Sequence, residues 1–214
     1  MIVLAIDTCL GACSVAVVFD GRTVAAASEP MTRGHQERLA PMAREVMGRA
    51  DLDFTALDRI AVTVGPGSFT GLRVGLAFAK GLALALGKPC IGVGTLEALA
   101  DTVAEPGPLA VVIDSGRGQV YLQTFKAGQA LTPPQVLSLE EAGSRLAELN
   151  GGVLSGPAGA LLSTVATGFE LRPVATPDPA AVARLAASAP VAPPTPLYLR
   201  PPDAKPPAAK PKAA

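Results

Sequence analysis

The first thirty residues alternate between apolar runs and short polar breaks, which is the pattern of a strand meander. Residues 1–7 and 12–19 are rich in aliphatic and β-branched side chains, and Asp20-Gly21 is a strong hairpin turn before a third extended run over 22–28. The sequence therefore predicts that the chain opens with three consecutive antiparallel strands.

Two segments with helical periodicity follow this meander. Residues 34–50 carry apolar side chains at three- and four-residue spacing, and Pro41 within them should bend the helix or delay its start. The second helix follows a Gly-Pro-Gly break, with Ser68 or Thr70 as its N-terminal cap and Gly87 just beyond its end.

Shorter patterns place the other elements and divide the chain. The Glu-Pro-Gly-Pro sequence at 105–108 is the clearest boundary, so we expect an N-terminal lobe over 1–107 and a smaller C-terminal lobe over 108–200. Residues 201–214 are Pro, Ala and Lys apart from one Asp, and this composition predicts a disordered tail. The further predicted strands are 60–64, 89–93, 109–113, 119–125 and 153–154, and the further predicted helices are 95–103, 139–149, 158–165 and 179–189.

An internal echo supports the two-lobe interpretation. Residues 5–21, AIDTCLGACSVAVVFDG, align without gaps with residues 112–128, VIDSGRGQVYLQTFKAG. Both contain Ile-Asp followed by a hydroxyl residue, then a second β run that ends in Gly. Two lobes that each begin with strand, Asp, turn and strand are what a duplicated actin-like or sugar-kinase-like α/β fold looks like.

Composition narrows the possible functions. Apolar residues make up 49% of the 214 residues, and 18 basic residues balance 18 acidic ones. A dedicated nucleic-acid binder usually carries a basic excess, so RNA contact is expected only through a local patch or a partner. The three cysteines lack zinc-type spacing and are expected to be buried, reduced thiols.

The distribution of apolar residues also predicts a soluble, cytoplasmic protein without a membrane segment. The apolar N-terminus lacks a basic region, and Asp7 interrupts it. The longest apolar helical stretch, about residues 74–86, is short for a bilayer and contains Lys80.

A candidate phosphate or nucleotide site combines a strand-end carboxylate with a glycine loop. Small residues between a strand and a helix let backbone N–H groups point at an anion, and a carboxylate at a strand end faces the ligand crevice of an α/β sheet. The alternative is an Asp that caps its own turn and a tight loop that seats the helix, and the residues alone leave both open. The candidates are Asp7, Thr8, Gly65, Gly67 and Ser68.

The helix after this loop predicts a partner. Gly71, Gly75, Ala79 and Ala83 form a stripe of small residues, while nearly every other face is apolar too. A helix that is apolar all round requires burial all round, and a second chain is the simplest source of cover. A bulky residue at Gly75 is then expected to block a partner and leave the fold intact. The candidate interface residues on the two helices are His35, Leu39, Met42, Val46, Phe69, Leu72, Gly75, Leu76 and Ala79.

The histidine content argues against a metal site and against histidine-based catalysis. His35 is the only histidine, and Leu39 stands four residues on, so the chain has no His-x3-His pair. A metallopeptidase is therefore disfavoured. The simplest interpretation of His35 is a surface or helix-capping residue.

Several of these segments together resemble the bacterial TsaB (YeaZ) family. The specific part is VGPGSFTGLRVGLAFAKGLA, which begins at residue 64. AIDTCLGACSVAVVFDG resembles the first strands of that family, GHQERLAP its first helix, and PLYLR at 196–200 its C-terminal segment. One difference is at 114–119, where the family usually has Asp-Ala-Arg and an acidic residue before Val-Tyr, and this chain has Asp-Ser-Gly-Arg and Gln119.

The resemblance implies an actin-like (ASKHA, ribonuclease H-like) fold of two α/β lobes, the second reduced. It implies a non-catalytic scaffold subunit for threonylcarbamoyl transfer to adenosine 37 of tRNA, with the catalytic paralogue TsaD and the ATPase TsaE as partners. It also implies a helical-bundle contact through the first two helices, a possible homodimer when isolated, tRNA contact only through the complex, and ATP or ADP only in the assembled complex.

An ATP-dependent phosphotransferase of the actin-like or sugar-kinase class is the alternative. It would use Asp7 and the glycine loop for phosphate and residues 156–159 near the adenosine. The second lobe, about 90 residues by this boundary, is small for a kinase substrate pocket.

Overall fold

The computed structural model describes residues 1–200; the predicted disordered tail, 201–214, lies outside the described residues. The chain forms two mixed β-sheets. The first has the strand order β3-β2-β1-β4-β5, with β1–β3 antiparallel and β4 and β5 parallel to β1. Its strands are β1 (Ile2–Asp7), β2 (Ala12–Phe19), β3 (Arg22–Pro30), β4 (Arg59–Thr63) and β5 (Cys90–Val93).

The second sheet repeats this arrangement. Its order is β8-β7-β6-β10-β11, again with an antiparallel half and a parallel half, and β9 also pairs with β7. The internal echo therefore reflects a structural duplication, and the predicted α/β actin-like fold is confirmed. The strands are β6 (Pro108–Gly116), β7 (Gln119–Lys126), β8 (Gln129–Ala130), β9 (Gln135–Ser138), β10 (Gly152–Ser155) and β11 (Phe169–Arg172).

The helices occupy equivalent places in the two halves, but the second half is reduced. The helix between β4 and β5 has 18 residues, whereas its counterpart between β10 and β11 is a four-residue 3-10 helix, Gly159–Leu162. The predicted helix over 158–165 is thus a single short turn. The helices are α1 (His35–Arg49), α2 (Phe69–Leu86), α3 (Thr95–Val103), α4 (Leu139–Ala147) and α5 (Pro179–Ser188), and a second 3-10 helix spans Phe54–Ala56.

The two halves exchange their last helices. The buried side of α3, with Leu96 and Leu99, packs in the core of the second sheet. Helix α5 returns to the first sheet, where Val182 and Ala183 pack against β1 and β2. Arg59 of β4 donates hydrogen bonds of 2.9 Å to two carbonyl oxygens at the end of α5. Helix α5 therefore packs in the core of the first sheet, although it lies within residues 108–200.

Helices α1 and α2 lie side by side on the opposite face of the first sheet. Ser68 caps α2, as predicted, and Gly87 ends it with a left-handed backbone, φ 65°. Three strands escaped prediction, namely β8, β9 and β11, because each has only two to four residues and little alternation of apolar side chains. Residues 196–200, expected to be extended, lie outside any strand, although the Leu197 N–H donates to the Val64 carbonyl at 2.7 Å.

The exchange of helices makes a testable prediction at Leu99. Its side chain is fully buried, so Leu99→Ala should lower the free energy of unfolding by about 2–5 kcal/mol, measured by urea denaturation. Hydrogen exchange should show the larger loss of protection in β6 and β7, although α3 lies in the N-terminal half. Leu84→Ala, at an exposed site, is the matched control. A loss of protection confined to the first sheet would contradict the assignment.

Candidate functional site

The glycine loop that precedes α2 is folded against the turn between β1 and β2. The Ser68 hydroxyl accepts from the Gly71 N–H at 3.2 Å, while the Ser68 N–H donates to the Cys9 carbonyl at 2.7 Å. Thr8, fully buried, donates from its hydroxyl to the Gly71 carbonyl at 2.7 Å. Two of these hydrogen bonds, those of Thr8 and Cys9, thus fasten the start of α2 to the turn after β1.

The glycine spacing follows from this contact. A Cβ atom at Gly67 would overlap the Cys9 carbonyl, one at Gly71 the Thr8 carbonyl, and one at Gly75 the Thr8 hydroxyl oxygen. Four residues make about one helical turn, so Gly67 in the loop and Gly71 and Gly75 on successive turns of α2 all face the same two residues, Thr8 and Cys9. The motif brings α2 closer to the sheet than any side chain would allow.

The predicted stripe of small residues therefore faces this chain's own sheet. Gly71, Gly75, Ala79 and Ala83 are all buried against it, and substitution at Gly75 would disturb the fold, contrary to our expectation. The other candidate interface side chains on the inner faces of the two helices are also in the first core, because the sheet supplies the cover that we assigned to a partner. They are Leu39, Met42, Val46, Leu72 and Leu76.

The outer face of α2 was missed by this reasoning. It consists of Phe69, Arg73, Ala77, Gly81 and Leu84, all exposed and spaced three or four residues apart. Leu84 is 86% exposed and Phe69 is 53% exposed. Of the predicted interface residues, only Phe69 lies on this face. Because α2 is apolar on nearly every side, its sequence alone does not distinguish the inner stripe from the outer one.

The five candidate phosphate-site residues lie close together, but packing and hydrogen bonds occupy most of their polar groups. Asp7 and Thr8 are fully buried, and Gly67 and Ser68 contact Cys9 as described above. The carbonyl of Gly65 accepts from the Thr95 N–H at 2.8 Å. In this conformation the loop positions α2 against the sheet, which is the packing role that the sequence left open beside phosphate binding.

Asp7 is the centre of a buried polar cluster at the end of β1. Its Oδ1 accepts from the Thr63 hydroxyl at 2.7 Å and from the Cys9 N–H at 3.1 Å, whereas its Oδ2 is buried and finds no hydrogen-bond partner among residues 1–200. Burial raises the pKa of the Asp7 carboxyl, and the hydrogen bond from Thr63 and the nearby His35 only partly oppose this effect. His35 is itself buried at the first position of α1 and Gly34 is the N-cap, so His35 is neither the surface residue nor the capping residue that we expected.

The three cysteines are free thiols with little reactivity. Burial raises the pKa of Cys9 to about 12 and the pKa values of Cys13 and Cys90 to about 11. A thiol that stays protonated at neutral pH is a poor nucleophile. Cys9 and Cys13 are buried, as predicted, and Cys90 is half-buried.

The C-terminal segment joins the start of α2 to the second lobe. Tyr198 packs beside Phe69 with 5.6 Å between ring centroids, and its hydroxyl accepts from Arg73 Nε at 3.2 Å. Arg200 donates to the Ser115 carbonyl at 2.5 Å and to Gln119 Oε1 at 2.6 Å. Gln119, where the resemblance led us to expect an acidic residue, thus holds this arginine cation through a neutral amide oxygen.

The close approach at Gly75 predicts a difference between two Gly→Ala variants of the same helix. Gly75→Ala should lower the free energy of unfolding by about 1–3 kcal/mol because the new methyl group overlaps Thr8. Gly81→Ala, where a Cβ has open space, should raise it by about 0.5–1 kcal/mol. Urea denaturation measures both, and equal effects would contradict the packing assignment.

The buried carboxyl predicts a pH effect on stability. Because the pKa of Asp7 is raised by folding, the native state retains a proton that the unfolded state releases above about pH 3.9. The stability that this group contributes is therefore complete below that pH and is lost as pH rises through the native pKa. Asp7→Asn removes the loss, so the variant should gain stability over the wild type as pH increases from 4. Exposed Asp51→Asn is the control, and parallel pH profiles for wild type and Asp7→Asn would refute the prediction.

Comparison with known proteins agrees with this fold. Residues 28–154 match the family model described as TsaD, tRNA N6-adenosine threonylcarbamoyltransferase. The chain is 40% identical over 129 residues to the tRNA threonylcarbamoyladenosine biosynthesis protein TsaB of Escherichia coli (strain K12), a match that covers 59% of this chain and 55% of that protein. It thus spans about half the length of this curated relative.

Two further matches extend over nearly the whole chain. An uncharacterized protein of Mycobacterium bovis is 35% identical over 207 residues, which cover 95% of this chain and 93% of that protein. A crystal structure of an uncharacterized Pseudomonas aeruginosa protein, described as similar to the peptidase YeaZ, has a TM-score of 0.77 and 28% identity, covering 93% of this chain and 99% of that chain. Together with the two-sheet fold and the glycine motif, these matches establish that the chain belongs to the TsaB (YeaZ) family.

Proposed function

We propose that this chain is a non-catalytic scaffold subunit of the machinery that transfers threonylcarbamoyl to adenosine 37 of tRNA. In this proposal it binds the catalytic subunit TsaD and, with it, the ATPase TsaE. The chain works in the cytoplasm and meets tRNA through the complex. Family membership and the name of the Escherichia coli relative support the reaction.

The observation that carries the partner role is the exposed apolar face of α2. Its 18 residues have a mean hydropathy of 1.4, enough by length and composition to cross a membrane, and only a third of them are buried. The inner side, however, is fixed to Thr8 and Cys9 by the glycine contacts, which keeps the helix on the sheet. A largely apolar surface held in this way, interrupted by Arg73, favours a protein partner.

The position of α1 beside α2 supports a four-helix contact. The two helices pack against each other on one face of the first sheet, with their buried sides in one core. A partner that presents two similar helices would cover Phe69 and Leu84 together. When TsaD is absent, the same face would pair with a second copy of this chain.

The non-catalytic role is supported by the burial and hydrogen bonding of the polar residues that catalysis would require. Asp7 and Thr8, which a phosphotransferase would need for phosphate, are fully buried. Thr8 donates to the Gly71 carbonyl, one oxygen of Asp7 accepts from Thr63, and the thiols stay protonated. Thr8 in this way holds α2 against the sheet.

A reconstituted transfer assay tests the function. Purified TsaD, TsaE, the activated threonyl donor and tRNA are incubated with and without this chain, and modified adenosine is quantified. The proposal expects product only in the complete mixture, and none from this chain alone with donor and tRNA. Undiminished product without the chain would refute the scaffold role, and product from the chain alone would refute the non-catalytic role.

The outer face of α2 makes a separate prediction. Leu84→Glu places a charge at the most exposed leucine of this face, so the affinity for TsaD should fall about tenfold or more while the melting temperature stays unchanged. Leu131→Glu, at a half-exposed leucine on the second lobe, is the matched control and should bind like the wild type. Equal affinities for the two variants, measured by calorimetry, would exclude this face as the contact.

A further inference from the structure

The exposed side of α2 carries charge of one sign only. The helix contains neither Asp nor Glu, and its two charged residues, Arg73 and Lys80, are both exposed. They are seven residues apart, which is about two helical turns, so both lie on the side that also carries Phe69 and Leu84. Neither cation forms an ion pair with another residue among 1–200.

Arg73 is held in position by two aromatic side chains. Its guanidinium carbon lies 3.7 Å from the centroid of the Phe69 ring, and its Nε donates to the Tyr198 hydroxyl at 3.2 Å. The two rings in turn pack together. The Nη groups of Arg73 find no acceptor among residues 1–200, so the forked end of a positioned side chain is available for a planar anion such as a carboxylate.

The neighbouring helix does not neutralise this surface. Helix α1 contains three arginines and two glutamates, and one of those glutamates, Glu45, is bound by Arg38 of the same helix at 2.8 Å. Together α1 and α2 hold five basic and two acidic residues, in a chain whose charges balance overall. The pair of helices that we propose as the contact surface is therefore positive.

Two copies of this chain would meet through this surface with like charges opposed. A twofold dimer uses the same patch on both copies, so Arg73 and Lys80 of one copy would approach the same two residues of the other. Like charges that face each other across an interface lower its affinity, whereas carboxylates on a different partner would turn the same cations into attractive contacts. The surface is thus better suited to an acidic partner than to itself.

The apolar surroundings favour a protein over RNA as the source of the anions. Phe69 and Leu84, both exposed, flank the two cations. Protein interfaces typically bury aromatic and aliphatic side chains at their centre and are enriched in Arg. Interfaces with nucleic acids are more polar and much more positively charged than a face with two cations among apolar side chains.

We propose that Arg73 and Lys80 select a partner whose contacting face carries carboxylates and that they disfavour a second copy of this chain. Arg73 binds one carboxylate through its two Nη groups, and Lys80 binds another about two turns along the helix. The inference rests on the proposed contact between α2 and TsaD, and it adds that the TsaD surface covering α2 is acidic.

The test compares two associations of the same surface: binding to TsaD, measured by calorimetry, and self-association, measured by sedimentation equilibrium. Arg73→Gln should weaken TsaD binding about tenfold and Lys80→Gln by a smaller factor, while both should strengthen self-association. These opposite signs identify a charge effect, because damage to the fold would weaken both associations. Lys126→Gln removes an exposed positive charge in the second lobe and, as the matched control, should change neither.

Salt provides an independent measurement. Raising sodium chloride from about 50 to about 300 mM should weaken the binding of the wild type to TsaD and strengthen its self-association, because screening removes attraction in one case and repulsion in the other. Both dependences should be smaller in the double variant Arg73→Gln, Lys80→Gln. If no variant self-associates, the TsaD titration alone decides.

Several results would overturn the proposal. If Arg73→Gln binds TsaD as tightly as the wild type while Leu84→Glu binds weakly, the proposed contact stands and its charge selection is wrong. Weaker self-association and weaker TsaD binding together would make Arg73 a packing residue. Reduced tRNA binding by the isolated Arg73→Gln variant, with unchanged affinity for TsaD, would assign the surface to RNA. A wild type that does not bind TsaD would refute the proposed contact and this inference with it.

Discussion

The close contact between α2 and the backbone of Thr8 and Cys9 is the constraint on which the rest of this structure depends. Gly67, Gly71 and Gly75 make it possible because a Cβ at any of them would overlap that backbone or the Thr8 hydroxyl. The contact fixes one side of an unusually apolar helix to the sheet. Everything that is apolar on the opposite side, including Leu84, then stays at the surface.

The exchange of α3 and α5 makes the two halves a single unit. Each helix follows the last strand of one sheet and packs on the other sheet, and Arg59 and Arg200 add hydrogen bonds across the chain. The C-terminal segment connects the start of α2, through Tyr198, to the hairpin of β6 and β7. A partner on the outer face of α2 would therefore contact the helix to which this linking C-terminal segment is bonded.

Much of the fold could be predicted from local signals. The Asp20-Gly21 turn, the Ser68 cap, Gly87 and the repeated Ile-Asp segment each indicated the correct element, because each acts within a few residues. The side of α2 that packs on the sheet could not be predicted, since both its inner and outer stripes contain small and apolar residues. The burial of His35 and the packing of α5 on the first sheet depend on long-range contacts that no local pattern records.

The candidate site shows the same division. The sequence grouped Asp7, Thr8 and the glycine loop, and the structure places them close together. It could not decide between phosphate binding and a packing role for them, because that depends on which hydrogen bonds these residues make. The most direct test of their structural use is a double-mutant cycle between Thr8 and Gly75, measured by urea denaturation. If the methyl of Gly75→Ala overlaps the Thr8 hydroxyl, the destabilisation should be much smaller in a Thr8→Ala background. Additive effects of the two substitutions would contradict the account.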